Sequence, residues 1–237
     1  DEFTNKISVF DAEGAFRYNW GRYGNDDGLL NGPSGIAFDS NNNLWVVDSL
    51  NHRVQCFRQQ GPFISKFGHQ GSNDGDLEMP WGLCIDLNDD IYVADWGNNR
   101  VQKFSQDGKL LMKFEGTTDE LGSLKGPSGV AVDSEGDVYV TDWGNHRVQI
   151  YDANGRYITT LVGDAQEPSI WTQTYINANP EMIKARRRAD MEPEWRFRRP
   201  VAVNVDANDR IVILESARHR MQIYNKLKDY EEHSLNL

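Results

Sequence analysis

A ten-residue string returns along this chain at a fixed interval, and that recurrence constrains the fold more than any single residue. Asp48 to Phe57 reads DSLNHRVQCF, Asp95 to Phe104 reads DWGNNRVQKF, and Asp142 to Tyr151 reads DWGNHRVQIY. The aspartates fall 47 residues apart. A worn copy follows at Glu215 to Tyr224, and Asp1 to Phe10 fits the same frame. A period in the forties marks a chain of stacked supersecondary units that bury a continuous core only together.

Each unit opens on a proline. Pro33, Pro80 and Pro127 keep the 47-residue spacing, and Pro200 follows after 73, which is one period plus 26 residues. Gly126-Pro127-Ser128-Gly129-Val130-Ala131-Val132-Asp133 reads as a strand entered through a Pro/Gly turn. Small residues such as Ala37, Ala131 and Ala202 suit inner strands that converge. A polar turn leads to an alternating second strand, Val138 to Asp142, matched by Leu44 to Asp48, Ile91 to Asp95 and Ile211 to Glu215. The signature string supplies the next turn and the third strand. An Asp/Asn/Gly turn then leads to a fourth strand: Phe16 to Trp20, Phe63 to Phe67, Leu110 to Phe114 or Tyr157 to Leu161. Four short strands per unit predict an all-β fold, a β-propeller of four-stranded antiparallel blades.

The ends are uneven. Residues 1–31 hold only a third and a fourth strand, and the unit from Pro200 holds three clear strands with a poor fourth at Lys226 to Glu232. The count is 17 strands, or 18 with the tail. The expectation is one domain over residues 1–237, part of a larger, six-bladed propeller that extends beyond the N-terminus. A partial ring sealed by a partner or a second copy is the alternative, because an open sheet edge invites pairing.

Hydrophobic residues make up 38% of the chain, and 21 glycines against 8 prolines fit a globular, turn-rich protein. No apolar run reaches the roughly 18 residues of a membrane span. The net charge of −11 disfavours a nucleic-acid partner, which is held by Lys and Arg against phosphates. Cys56 and Cys84 occupy different repeat positions and read as small core residues. No motif for a cofactor or phosphate is recognisable.

The signature Asp-x-x-Asn-His-Arg-Val-Gln-x-Phe/Tyr, the entry Pro-x-Gly-Val/Ile-Ala and the second strand Val-Tyr-Val-x-Asp together resemble NHL repeats. Asn145-His146-Arg147 and Asn51-His52-Arg53 match the motif behind that name, whereas Asn98-Asn99-Arg100 lacks the histidine. The resemblance covers nearly all of the chain outside about 164–199. It implies a propeller, commonly six-bladed, that serves as a binding platform for proteins or, in some members, RNA. Some propellers of this type are enzymes. The peptidylglycine amidating lyases carry metal-binding histidines at the starts of inner strands. The matching positions here are Ser34, Trp81, Ser128 and Val201, which argues against that chemistry.

His52, His146 and His219 share one frame position, so they belong to different blades. Zinc ligands must meet within about 2 Å of one point, so these histidines read as structural, and no metal site is expected. Asp48, Asp95 and Asp142 with Arg53, Arg100 and Arg147 read as ties that lock the second strand to the third.

Function is expected where the repeat varies. Trp96 and Trp143 follow signature aspartates on turns, and Trp81 starts an inner strand. These three indoles are expected on one face, either as a contact surface or packed on neighbouring blades. The insertion at 164–199 leaves from an inter-blade loop toward the same face. Asn179-Pro180-Glu181 predicts a helix over about 180–190. Residues 168–199 hold seven basic side chains, among them Arg186 and Arg187, against four acidic, together with Trp171 and Trp195. The arm is expected to lie on its own acidic propeller or to meet an acidic partner. The preferred function is a non-enzymatic scaffold for a protein or peptide. The alternatives are a metal-dependent propeller hydrolase or lyase with an axial site, and RNA binding through the Arg-rich insertion.

Overall fold

The structure, a computed structural model, describes residues 1–115 and 123–226. Its strands form five antiparallel sheets in chain order. A two-stranded sheet, β1 (Ile7–Phe10) and β2 (Phe16–Trp20), comes first. Three four-stranded blades follow: β3 (Pro33–Phe38) to β6 (Phe63–Phe67), β7 (Leu83–Ile85) to β10 (Leu110–Phe114), and β11 (Pro127–Val132) to β14 (Tyr157–Leu161). A three-stranded sheet ends the described chain: β15 (Pro200–Val205), β16 (Arg210–Glu215) and β17 (Arg220–Asn225). Beyond Lys226, the tail expected as a poor strand lies outside the described residues. No helix among the described residues is long and apolar enough to cross a membrane.

Every blade is a meander, since each strand pairs with its sequence neighbour through a short polar turn. The inner strands β3, β7, β11 and β15 lie side by side in that order. The entry glycine permits this approach. A Cβ on Gly82 would stand 2.6 Å from the Ser128 carbonyl oxygen, and one on Gly35 would stand 2.7 Å from the Trp81 carbonyl oxygen. Trp81 itself precedes β7 by two residues rather than starting it, yet its N–H still reaches the Ala94 carbonyl at 2.8 Å.

The core lies between blades. Trp45, Val54 and Phe67 of the first full blade pack on Leu83, Ile91 and Phe104 of the second. The pattern moves on by one blade with Tyr92 and Phe114 against Val138 and Tyr151. At three junctions an aromatic on the fourth strand meets one on the next third strand: Trp20 on Phe57 at 4.9 Å, Phe67 on Phe104 at 4.7 Å and Phe114 on Tyr151 at 5.6 Å between centroids. Sandwiching explains why all five residues of β4 (Leu44–Asp48), β8 (Ile91–Asp95) and β12 (Val138–Asp142) are buried despite their alternating look. On β16 and β17, which no described blade covers on the far side, Leu214, Met221 and Ile223 are exposed.

Both thiols are free. Cys56 lies in the core between the first two full blades, where burial pushes its thiol up to about 11. Cys84 packs against the next core, and burial raises its thiol further. At the chain's described end, Lys226 reaches back to the polar turn of the third full blade and ion-pairs with Asp133, Glu135 and Asp137. Burial opposes its charge, but the three carboxylates hold the ammonium above the ordinary lysine range.

Candidate functional site

The repeated polar residues converge at the blade junctions. Asp48 pairs with Arg53 across β4 and β5 (Arg53–Phe57) and is fully buried. Its carboxylate accepts from the Asn31 backbone N–H at 2.6 Å, Asn51 Nδ2 at 2.8 Å, Arg53 Nε at 2.8 Å and Gln55 Nε2 at 2.9 Å. Asp95 repeats the set with Glu78, Asn98, Arg100 and Gln102. Asp142 accepts from Lys125, Asn145 and Arg147, and Glu215 from Arg198, Arg220 and Gln222. Burial pushes the Asp95 carboxyl up even against its donors, so its ionised form depends on them. Each arginine also donates to carbonyls of the inter-blade loop before its own blade, as Arg53 does to Asp26 and Leu29 and Arg100 to Asn73 and Asp76. These acids and arginines therefore lock strand to strand and blade to loop.

The histidine position makes a second, longer tie. His52 Nδ1 accepts from the Met79 N–H at 3.1 Å, and His146 Nδ1 from the Arg199 N–H at 3.2 Å. Asn5 and Asn99 do the same with Gly32 and Gly126. Every residue in these pairs is left-handed, with φ between 47° and 63°. His52, Asn99 and His146 each close a 3-10 turn, and in all four pairs the donor directly precedes the entry proline. His219 is left-handed as well, at φ 49°. His52 and His146 thus tie two blade junctions, and Asn99 ties the one between them.

The three indoles meet. Trp81, Trp96 and Trp143 line one apolar pocket of about 230 Å³ with Met79, Ser128 and Val201. Trp96 occupies the 3-10 turn Trp96–Asn98 and packs on Gly126, where an added Cβ would lie 2.7 Å from the indole nitrogen. Trp143 occupies Trp143–Asn145 and carries the Arg199 guanidinium over its ring at 4.7 Å. Trp96 and Trp143 therefore pack on the next blade's entry, while Trp81 is 41% exposed and Trp96 37%. The pocket joins the mouth of the axial cleft, about 250 Å³, lined by inner-strand backbone with Ser34, Ser128, Val201 and their neighbours. At the cleft's far end Asp86, Asp133 and Asp206 stand at the ends of inner strands, each holding its own turn through backbone N–H groups. No group of three His, Cys, Asp or Glu among the described residues could hold a metal ion.

The insertion folds as three helices rather than one: α1 (Ile170–Asn177), α2 (Pro180–Arg188) and α3 (Glu192–Trp195). Asn179 caps α2, accepting from the Met182 N–H at 3.4 Å. Ser169 caps α1, a signal that stood in the sequence. The foot of the arm is tied to the last sheet. Arg218 and Arg220 donate to carbonyls at residues 193–196, and Phe197 is buried in the last core. Trp171 and Trp195 are not among the pocket residues. Trp171 is 86% exposed on α1 beside Ile170, and Trp195 is half-buried at the end of α3. Arg186 pairs with Glu194 at 3.1 Å, and Arg187 is exposed. Met79, Lys125 and Arg199 were not singled out from sequence. The signal for them was their place, one or two residues before each entry proline.

Comparison with known families matches the NHL repeat at residues 30–57, 77–104 and 124–151. Comparison with curated proteins finds no match. Among solved structures, a catalytically inactive virginiamycin B lyase from Staphylococcus aureus, solved with quinupristin, is 14% identical with a TM-score of 0.57, over 97% of this chain and 65% of the lyase. A protein of unknown function from Bacteroides thetaiotaomicron is 19% identical with a TM-score of 0.62, over 93% of this chain and 54% of that one. A gluconolactonase from Xanthomonas campestris is 18% identical with a TM-score of 0.57, over 90% of this chain and 63% of the enzyme. This chain spans less than two thirds of the length of each, and at these identities the likeness is one of fold.

Proposed function

From the premise that this chain is an NHL-repeat protein of propeller type, we propose that it is a non-enzymatic interaction module that binds a protein or peptide on the face carrying Trp81, Trp96 and Trp143. The supporting observation is the convergence of these indoles on one apolar pocket. Binding energy at protein contacts concentrates on buried aromatic anchors. The pocket is smaller than the roughly 300–1,000 Å³ clefts that bury drug-sized ligands, which favours a single inserted side chain. Trp96 and Trp143 stand on turns closed by left-handed residues and pressed against the next blade, so little freedom is lost on docking. The repeat acids, with His52 and His146, are engaged in structural bonds at the junctions.

The exposed side of α1, with Ile170, Trp171 and Tyr175, together with Arg187 on α2, supports a second contact by the insertion. Arg186 and Trp195 hold the arm together beneath it.

Panning a displayed peptide library on the protein, with the folded Trp96→Ala/Trp143→Ala variant as counter-target, tests the proposal. Enriched peptides should bind the parent and lose at least about tenfold affinity for the variant. Peptides that bind both equally would sink it.

A further inference from the structure

The rim of the tryptophan pocket is electrically lopsided. Two residues before each entry proline stand Asn31, Glu78, Lys125 and Arg198, and one residue before stand Gly32, Met79, Gly126 and Arg199. Glu78 precedes the lining residue Met79, and its side chain crosses Gly97, next to Trp96. Its carboxylate lies 3.6 Å from His52 Nδ1. On the other side Lys125 crosses Gly144, next to Trp143, and Arg199 lies over the Trp143 ring. Arg198 directly precedes Arg199. All three cations are exposed, and none has an ion-pair partner among the described residues, in a chain with a net charge of −11.

The backbone explains why these side chains are free. The Lys125 and Arg198 N–H groups are spent on Asp142 and Glu215, and the Arg199 N–H on His146. That pins the main chain of both entry dipeptides and directs the side chains outward. The Arg199 guanidinium spreads over an aromatic face, which leaves its N–H edges to donate sideways.

We infer that the pocket takes an acidic peptide segment: one large apolar side chain enters between the three indoles, and carboxylates flanking it meet Arg199 and Lys125 on the blade 3–4 side. Here the four sheets that begin with β3, β7, β11 and β15 are blades 1 to 4. This rests on the reading of the tryptophan face as a peptide site and adds the charge of the partner. Glu78 on the opposite rim sets polarity, since it repels a carboxylate on the blade 2 side. Charge complementarity of this kind adds more to selectivity and association rate than to affinity.

The test is fluorescence anisotropy with two labelled short peptides, each with a central tryptophan. One has glutamates on both sides and the other glutamines. The glutamate peptide should bind at least about tenfold tighter at low salt, with a preference that shrinks as salt rises. In Lys125→Glu/Arg199→Glu the ratio should fall to about one or below. Lys125→Gln/Arg199→Gln, with its fold checked by circular dichroism, serves if charge reversal unfolds the protein. Equal binding of both peptides, lost in Trp96→Ala/Trp143→Ala, overturns the acidic partner and leaves the tryptophan site standing. Failure of both peptides to bind, or binding indifferent to the tryptophans, overturns both. A poly-uridine oligonucleotide that displaces the glutamate peptide would point to nucleic acid and overturn the inference as well.

Discussion

The imidazole Nδ1 of His146 accepts a hydrogen bond from the backbone N–H of Arg199, at 3.2 Å across a blade junction and 53 residues along the chain. Both residues are left-handed, at φ 59° and 55°. Left-handed backbone costs a non-glycine residue about 1–2 kcal/mol, and a following proline restricts its predecessor further. The junction offsets this strain by joining the two strained residues to each other.

His146→Ala should therefore lower stability by about 1–2 kcal/mol in urea denaturation, through the lost bond and the harsher left-handed position. His146→Asn should recover most of the loss, because Asn5 and Asn99 already accept the equivalent N–H groups. Equal losses in both variants would show that ring packing, and not the acceptor, matters.

Gly82→Ala should destabilise the protein by about 1–3 kcal/mol or more, because the new methyl meets the backbone of the next inner strand and not a flexible side chain. Gly75→Ala has open space around its Cβ and should suffer only from its positive φ of 86°. A thermal-melting comparison separates crowding from backbone strain.

Removing the carboxylate of Asp95 should cost about 3–5 kcal/mol, since Asp95→Ala leaves the Arg100 guanidinium buried without its acceptor. Arg100→Lys should not preserve the site, because one ammonium cannot serve Asp95 and the Asn73 and Asp76 carbonyls together. Chemical denaturation of both variants checks this.

Cys56 should resist Ellman's reagent at pH 8 in the folded protein, and both thiols should react after unfolding. Its folded value, about 11, lies above the ordinary 9.0. A raised thiol means that the unfolded chain releases its proton first. The contribution of this group is therefore complete below pH 9 and declines as pH rises toward 11. A stability profile in which Cys56→Ala shows the same decline over that range would assign it elsewhere.

Val201→Trp should fill the pocket while leaving Trp81, Trp96 and Trp143 in place. Peptide binding should fall at least about tenfold with the melting temperature nearly unchanged. Binding that survives would move the contact off the pocket.

Sequence alone determined the repeat, the strand count within each unit, and the pairing of Asp48, Asp95 and Asp142 with Arg53, Arg100 and Arg147. These are events within one unit, where strand order and a four-residue turn bring the partners together. The equivalent frame positions of Trp96 and Trp143 gave the expectation of a shared face. The angle between blades is not written in any one unit, and only the tertiary structure decided what depends on it. That includes the tie from His146 to Arg199, the closeness of Gly82 to Ser128, and the two-sided burial of Leu44–Asp48. It also includes a pocket that needs Met79, Trp81, Trp96, Ser128, Trp143 and Val201 from three neighbouring blades. The helices at Ile170–Asn177 and Glu192–Trp195 belong to the same class. Their sequences are short and weakly patterned, and the arm is held instead by Arg218, Arg220 and the buried Phe197 of its foot.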